Sequence, residues 1–410
     1  QSRSPLTFWR KIVSGNQIIL RIADLKPTPL HLALFFTGGM SLKTWNDTGL
    51  FDREVLPYRL LQSYGIKVTF VTYGDTRDLV YSDKLPGIKI LCNQWGLPPH
   101  VYRRWLPVLH APHLVHATIL KTHQVPGADR ALWSARLFNK KIVARCGYLI
   151  SEIARQASGI ASPEVMAARK KEGKLFSSAD LTVVTTGAMQ QIICERYQIP
   201  EKNVIVIPNY VDIDLFKPDC NKTKNHSPIR ICTIGRFNKV KNLLALLDAL
   251  KDLDIELLLI GDGEMRDELT EKVKVNQIRA QFLGTKPNSE LPCFLNQSDI
   301  YIQPSLIEGH PKTLIEAMAC GLPVIGSNVA GTREIIKDRQ NGLLCGTSSN
   351  EIRAAITELM TNPGLMEQMG NQAREYVKSN FSLDIVLEKE LSMLERLSGA
   401  DFPSQARRRL

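Results

Sequence analysis

A chain of 410 residues that is 44% hydrophobic and 23% charged has the balance of an ordinary globular protein with two or three domains, which excludes a disordered or fibrous one. It holds no run of eighteen or more uninterrupted apolar residues, so no transmembrane helix is expected, and no signal peptide is read at its start. The net charge of +11 is uneven: residues 1–205 hold 27 Lys and Arg against 14 Asp and Glu, a balance of +13, and residues 206–410 hold 25 against 27, a balance of −2.

Residues 1–29 precede the first clear strand. Within them Phe8-Trp9-Arg10-Lys11-Ile12-Val13 mixes aromatic, basic and apolar side chains, as an interfacial anchor would, although an extension packed on its own domain is the plainer reading. Residues 30–36 predict a buried strand ended by Thr37-Gly38-Gly39-Met40. A helix over 50–64 and a strand over 67–72 then complete a βαβ unit. Further strands are expected at 88–91, 114–117, 141–144 and 181–185, with helices at 128–138 and 163–177. The stretch WGLPPHVYRRWLPVLH makes Trp95, Arg103, Arg104 and Trp105 a candidate patch for an anionic surface. The competing reading has two core tryptophans and solvated arginines.

The second half repeats the logic, with strands at 230–234, 256–260, 300–303 and 322–327 and helices at 243–250, 265–275 and 313–320. Helices at 365–380 and 383–397 follow, and Arg407-Arg408-Arg409 reads as a disordered end. The alternation predicts an α/β fold of two Rossmann-like, doubly wound domains with a cleft between them. The expected division is 1–205 (with 1–29 as an extension), a linker at 206–228, a second domain at 229–382, and a C-terminal helix and tail at 383–410 that cross back to the first domain. The eight cysteines, Cys92, Cys146, Cys194, Cys220, Cys232, Cys293, Cys320 and Cys345, form no Cys-x-x-Cys pair. Several lie in apolar runs, which predicts reduced thiols in a cytosolic compartment.

Chemistry concentrates between Gln303 and Gly342, where Glu308 and Glu316 stand eight residues apart around a Gly309-His310-Pro311 turn and a helix start. A loop that leaves a strand and feeds a helix N-terminus offers unpaired N–H groups to an anion, and flanking carboxylates can grip hydroxyl groups. The combination suits a nucleotide-activated sugar. Upstream, Gly235-Arg236-Phe237-Asn238-Lys239-Val240-Lys241-Asn242 follows the first strand of the second half. Arg236 and Lys241 can both reach a diphosphate from there, one by forked hydrogen bonds and the other as a mobile point charge. The plain alternative for each is a solvated charge.

The segment EGHPKTLIEAMACGLPVI closely resembles the E-x7-E signature of retaining glycosyltransferases of family 4, which have the GT-B fold. The Arg236 and Lys241 loop is similar to that family's G-R-x-x-x-x-K-G/N pattern. VIPNYVDIDLFKP resembles its crossover, with Tyr210 replacing the usual Gly. The resemblance is dense over 229–342 and only architectural before 204. It implies a retaining, metal-independent transfer from a nucleotide-diphospho-sugar to a sugar or lipid-linked sugar, in polysaccharide or glycolipid assembly. No cofactor beyond that co-substrate and no nucleic acid partner is implied. The location implied is cytoplasmic, with an anionic membrane surface as a possible contact. Arg236, Lys241 and Glu308 are the implied catalytic residues, with Glu308 facing the donor sugar. Glu316 is expected to accept from the ribose hydroxyls at a partly exposed helix position. Gly38, Gly39, Gly235, Gly263, Gly284, Gly309, His310, Pro311, Lys312, Thr313 and Leu314 complete the implied donor site.

Many relatives carry a His after a strand like 141–144, but here that strand runs into Arg145-Cys146-Gly147-Tyr148, leaving Arg145 and His123 as acceptor-side candidates. Asp212-Ile213-Asp214 has the form of a metal-binding pair yet lies in the crossover, and reads as structural. The alternatives are an epimerase or phosphorylase on the same fold, and a non-enzymatic binder of anionic surfaces.

Overall fold

The structure, a computed structural model, describes residues 30–219, 227–400 and 402. The anchor read at 8–13, Cys220 and the arginine tail at 407–409 lie outside the described residues. The first half builds a parallel sheet from β1 (His31–Phe35), β2 (Lys67–Asp75), β3 (Lys89–Asn93), β4 (Ile119–Thr122), β5 (Lys141–Cys146), β6 (Leu181–Val184) and β7 (Val204–Val206). Their spatial order is β3-β2-β1-β4-β5-β6-β7. The second half contributes β8 (Ile229–Ile234), β9 (Ile255–Ile260), β10 (Arg279–Gly284), β11 (Ile300–Gln303), β12 (Val324–Ser327) and β13 (Leu343–Cys345), ordered β10-β9-β8-β11-β12-β13.

Both orders reverse once, between β1 and β4 and between β8 and β11. A parallel sheet opens a crevice for ligands at the carboxyl ends flanking such a reversal. Helices cover both faces of each sheet, so neighbouring residues of one strand feed different cores: Leu32 and Leu34 pack on one side of β1, Ala33 and Phe35 on the other. The same alternation divides Leu258 and Ile260 from Leu257 and Leu259 in β9.

One predicted strand is overturned. Residues 114–117 close the short helix Ala111–Leu114, where Leu114 N donates to His110 O at 3.0 Å. The ladder resumes only where Thr118 N donates to His31 O at 2.8 Å, and β4 starts at Ile119. Leu114 and Ala117 are buried as a strand would require, and a short apolar run cannot by itself distinguish the two conformations. The core reading of Trp95 and Trp105 is also overturned, since they are 44% and 48% exposed. Arg103 donates to Asp129 at 3.1 Å. The seven described cysteines carry free thiols. No helix among the described residues is long and apolar enough to cross a membrane.

The last helix, Leu383–Ser398, lays Val386, Leu387, Leu391 and Leu394 into the core of the first half. Its Glu390 meets Lys121 of β4 in a buried ion pair. Burial pulls the Lys121 ammonium below its usual pKa, and Glu390 opposes that shift. Removing one member of such a pair strands the other. Glu390→Ala is therefore expected to destabilise the first half by about 3 kcal/mol, whereas the matched pair Lys121→Met, Glu390→Leu stays near neutral. Urea unfolding followed by tryptophan fluorescence checks this; equal losses in both variants would count against an electrostatic origin.

Candidate active site

A cleft of about 1180 Å³ opens between the carboxyl ends of the two sheets. The first half supplies Gly49, Arg53 and Glu54 around the start of the helix Phe51–Ser63, His123 after β4, and Arg145, Gly147 and Tyr148 at and after the end of β5. The second half supplies Gly235, Arg236 and Lys241 after β8, Gly263 after β9, and Gln303 with the whole run Leu306 to Thr313 after β11. The halves touch backbone to backbone at this point: a Cβ on Gly309 would lie 2.3 Å from the carbonyl oxygen of Gly147. Only glycine permits that approach.

In the loop before the helix Lys312–Ala319, Glu308 Oε1 accepts from Lys241 Nζ at 2.6 Å and from Gln303 Nε2 at 2.5 Å. Arg236 is exposed on the cleft wall, and its side chain makes no hydrogen bond or ion pair among the described residues. No side chain caps the first turn of the helix Lys312–Ala319, so its amide donors face the cleft without a competing acceptor.

Several expected positions need correction. Glu316 is 1% exposed rather than partly exposed, because residues 314–319 are all buried in this helix. Its Oε1 accepts from Arg53 Nη1 and from Asn288 Nδ2, both at 2.9 Å, and these two residues line the cleft. Its Oε2 is buried without a partner. Leu314 is a core residue, and Gly284 lies off the wall. Gly38 and Gly39 are not brought to the cleft either, since Gly38 N is tied to Pro126 O at 2.8 Å. Gly49 reaches the wall instead. Its φ is +69°, and a Cβ there would meet Lys286 O at 2.3 Å. His123 and Arg145 both line the cleft. Asp212 Oδ1 accepts from Asp214 N at 3.0 Å and Leu215 N at 3.1 Å, which makes it a turn cap.

The sequence reading missed Arg53, Glu54 and Asn288. Glu54 is paired with Lys312 and lies 3.2 Å from His123 Nε2 and 3.8 Å from Arg53 Nε. Burial would raise its pKa, yet Lys312, His123 and Arg53 outweigh burial and hold the carboxyl well below its usual range. Burial lowers the pKa of His123 and leaves it neutral. Nε2–H then donates to Glu54, and Nδ1 accepts from the Thr37 hydroxyl at 2.8 Å. His310 is pushed down to about 3 by burial and by Arg145 and Lys312, and its ring packs edge-on against Phe381 at 4.9 Å. Arg145 donates to Asn209 Oδ1 at 2.9 Å and to His123 O at 3.4 Å, with no carboxylate partner among the described residues. Its charge is left to the cleft.

Burial brings the Lys312 ammonium down to about 8, against the pull of Glu54. The unfolded chain therefore holds this proton more tightly between about 8 and the ordinary value of 10.5, and the contribution of this group to stability rises with pH across that window. The difference in urea midpoint between wild type and Lys312→Met is expected to shift toward wild type as pH is raised from about 7 to about 9.5. A pH-independent difference would show that Lys312 is not held low.

Two family models match the chain, "Glycosyltransferase Family 4" over residues 58–215 and "Glycosyl transferases group 1" over 219–376. Among curated relatives, N-acetyl-alpha-D-glucosaminyl L-malate synthase of Bacillus anthracis is 31% identical over 223 residues, 50% of this chain and 58% of that protein. UDP-Gal:alpha-D-GlcNAc-diphosphoundecaprenol alpha-1,3-galactosyltransferase of Escherichia coli is 29% identical over 210 residues, 47% and 53% of the two chains. The chain thus spans about half the length of the curated relatives it matches. In fold it is similar to sucrose-phosphate synthase of Thermosynechococcus elongatus, with a TM-score of 0.75 at 19% identity over 91% of this chain and 100% of that one. With one glycosyltransferase model matching each half, glycosyltransferase relatives and a shared two-sheet fold, the chain belongs to the GT-B glycosyltransferases of the family 4 type.

Proposed function

We propose that the cleft takes a nucleotide-diphospho-sugar and that the protein passes the sugar, with retention of configuration and without a metal ion, to a sugar or lipid-linked sugar acceptor in glycan assembly. The observation that carries this reading is a set of buried polar atoms without partners, gathered around one loop. They are Gln303 Oε1, Ser305 Oγ, His310 Nδ1, Glu316 Oε2 and Thr332 Oγ1; Arg53 Nε, beside Glu54, and Arg169 Nε are the other such atoms among the described residues. Buried polar groups are normally satisfied, and a hydroxyl-rich ligand satisfies many at once.

In this reading the Arg236 guanidinium and the Lys241 ammonium meet the diphosphate. As the bond from the anomeric carbon to the β-phosphate oxygen breaks, its electron pair stays on the phosphate, where fixed cations in a closed cleft stabilise the growing charge. Glu308 holds Lys241 in place, and its carboxylate faces the sugar. Oε2 of Glu316 accepts from the ribose. The acceptor hydroxyl enters from the first half, past Arg145 and His123, and bonds to the same face of the sugar, its proton passing to the departing phosphate oxygen. An apolar stretch of that wall, formed by Leu149, Ile153, Met189 and Ile192, suits the aglycone of a lipid-linked acceptor. The half-exposed Trp95 and Trp105 on a basic half favour residence at an anionic membrane surface, facing the cytoplasm. The Escherichia coli relative is named for a diphosphoundecaprenol-linked acceptor.

Arg236→Ala and Lys241→Ala are each expected to lower turnover by about two to three powers of ten, with a combined effect smaller than the product because both act on one diphosphate. Steady-state assays of nucleotide diphosphate release check this, and unchanged turnover in either variant removes the shared phosphate site. Release is expected only when acceptor is present, which separates transfer from epimerisation. Activity should persist in EDTA, and proton NMR of the product should show the anomeric configuration of the donor. Rescue of an EDTA-silenced enzyme by Mn²⁺ or an inverted linkage would overturn the corresponding part.

A further inference from the structure

We infer that Arg53, contributed by the first half, is a positioning residue for the nucleotide ribose: it fixes Glu316 from across the cleft and so leaves Oε2 of that carboxylate to the ribose hydroxyls. The inference rests on the donor reading above and adds a role to a half of the molecule otherwise assigned to the acceptor.

The geometry is specific. Glu316 has one oxygen fully used, with Arg53 Nη1 and Asn288 Nδ2 both at 2.9 Å, and one oxygen buried without a partner. Asn288 supplies dipole but no charge, so the opposite charge for this carboxylate comes from Arg53. Both side chains are secluded, at 13% and 1% exposure, where an ion pair is screened little by solvent. The backbone of Arg53 is itself held: the Tyr210 hydroxyl donates to the Arg53 carbonyl oxygen. Asn288 N donates to Gly49 O at 3.2 Å, four residues before Arg53. Tyr210 stands where the family crossover usually has Gly, so this anchor belongs to this chain. Its φ is not positive, and the substitution therefore carries no strain of the left-handed kind.

The neighbouring pair fixes the register. Glu54 takes Lys312 while Arg53 takes Glu316, so adjacent residues of one helix grip residues one turn apart on the other, with opposite polarity. A slip by one turn in one direction would bring Arg53 onto Lys312, and in the other direction would bring Glu54 onto Glu316. That cost keeps the carboxylate facing one way. Arg53 is also poorly placed to serve phosphate instead, because Nη1 is committed to Glu316 and Nε lies 3.8 Å from Glu54.

A carboxylate oriented toward a ribose hydroxyl discriminates against nucleotides lacking that hydroxyl, on the order of ten- to a hundredfold for a charge-assisted bond. The test is calorimetric titration of wild type, Arg53→Met and Arg53→Lys with UDP, ADP and GDP, and with the 2′-deoxy form of the tightest binder. Wild type is expected to prefer the ribonucleotide on the order of tenfold or more. Arg53→Met should narrow that ratio to about threefold or less by weakening the ribonucleotide alone, and Arg53→Lys should restore part of it. A wild-type ratio in Arg53→Met, or equal weakening of both forms, overturns the inference and makes Arg53 a clasp between halves or a phosphate contact. If wild type binds none of the three diphosphates, or binds without ribose preference, the donor reading itself fails, and this inference with it. Should Arg53→Met not fold, Glu316→Gln is compared with Arg53→Met, Glu316→Gln. Equal ratios are expected, since no carboxylate remains to be positioned, and a further fall in the double variant overturns the inference.

Discussion

Charge buried at a junction must be paired, and in this molecule the partners come from opposite halves. Arg53 meets Glu316, and Glu54 meets Lys312. Each charge alone would cost several kcal/mol out of water. The pairs therefore need both halves together, and the cleft takes its shape from that requirement. The sheets can be built separately; the polar floor between them cannot.

Glycine and proline decide how close the halves come. Gly309 against Gly147 and Gly49 against Lys286 leave no room for a side chain, so loop backbone from one half lies on loop backbone from the other. That closeness brings a helix start, two cations and several carboxylates within reach of one small ligand. Burial then acts on the titratable groups in opposite senses, leaving His123 and His310 neutral while the cations around Glu54 keep it ionised.

The crossovers do more than connect. Asn209, in the first, donates to His310 O at 2.6 Å and accepts from Arg145, so one amide ties the Gly309-His310-Pro311 loop to the end of β5. Phe381, where the chain returns, props the His310 ring. Val211 and Ser382 bridge the two passages directly. A loop whose ring, carbonyl and helix start are each held by different elements is well set up to present its amides in one orientation.

Most of the architecture was legible because parallel strands buried on both faces write continuous apolar runs, as in Leu257 to Ile260, and the helices between them carry a different period. The misses have physical causes. β10, RAQFLG, is an edge strand whose residues are half-exposed and mixed, and β13 is three residues long, so neither leaves a run to detect. At 114–117, Leu114 and Ala117 are buried but the segment closes a short helix and turns, a distinction that hydrogen bonds make and composition does not. At the site, the loop Gln303 to Thr313 and the Arg236 and Lys241 pair were readable because each lies on a single strand-loop-helix stretch, although Lys241 and Glu308 meet across 67 positions. The sequence by itself thus determined the two sheets and the charged loops that follow β8 and β11. Only the tertiary structure decided that Glu316 is buried, that Arg53, Glu54 and Asn288 belong with it, and that Gly49 rather than Gly38 and Gly39 reaches the cleft. Those contacts join residues more than two hundred positions apart, or depend on which way a buried side chain turns, and neither is written in local spacing.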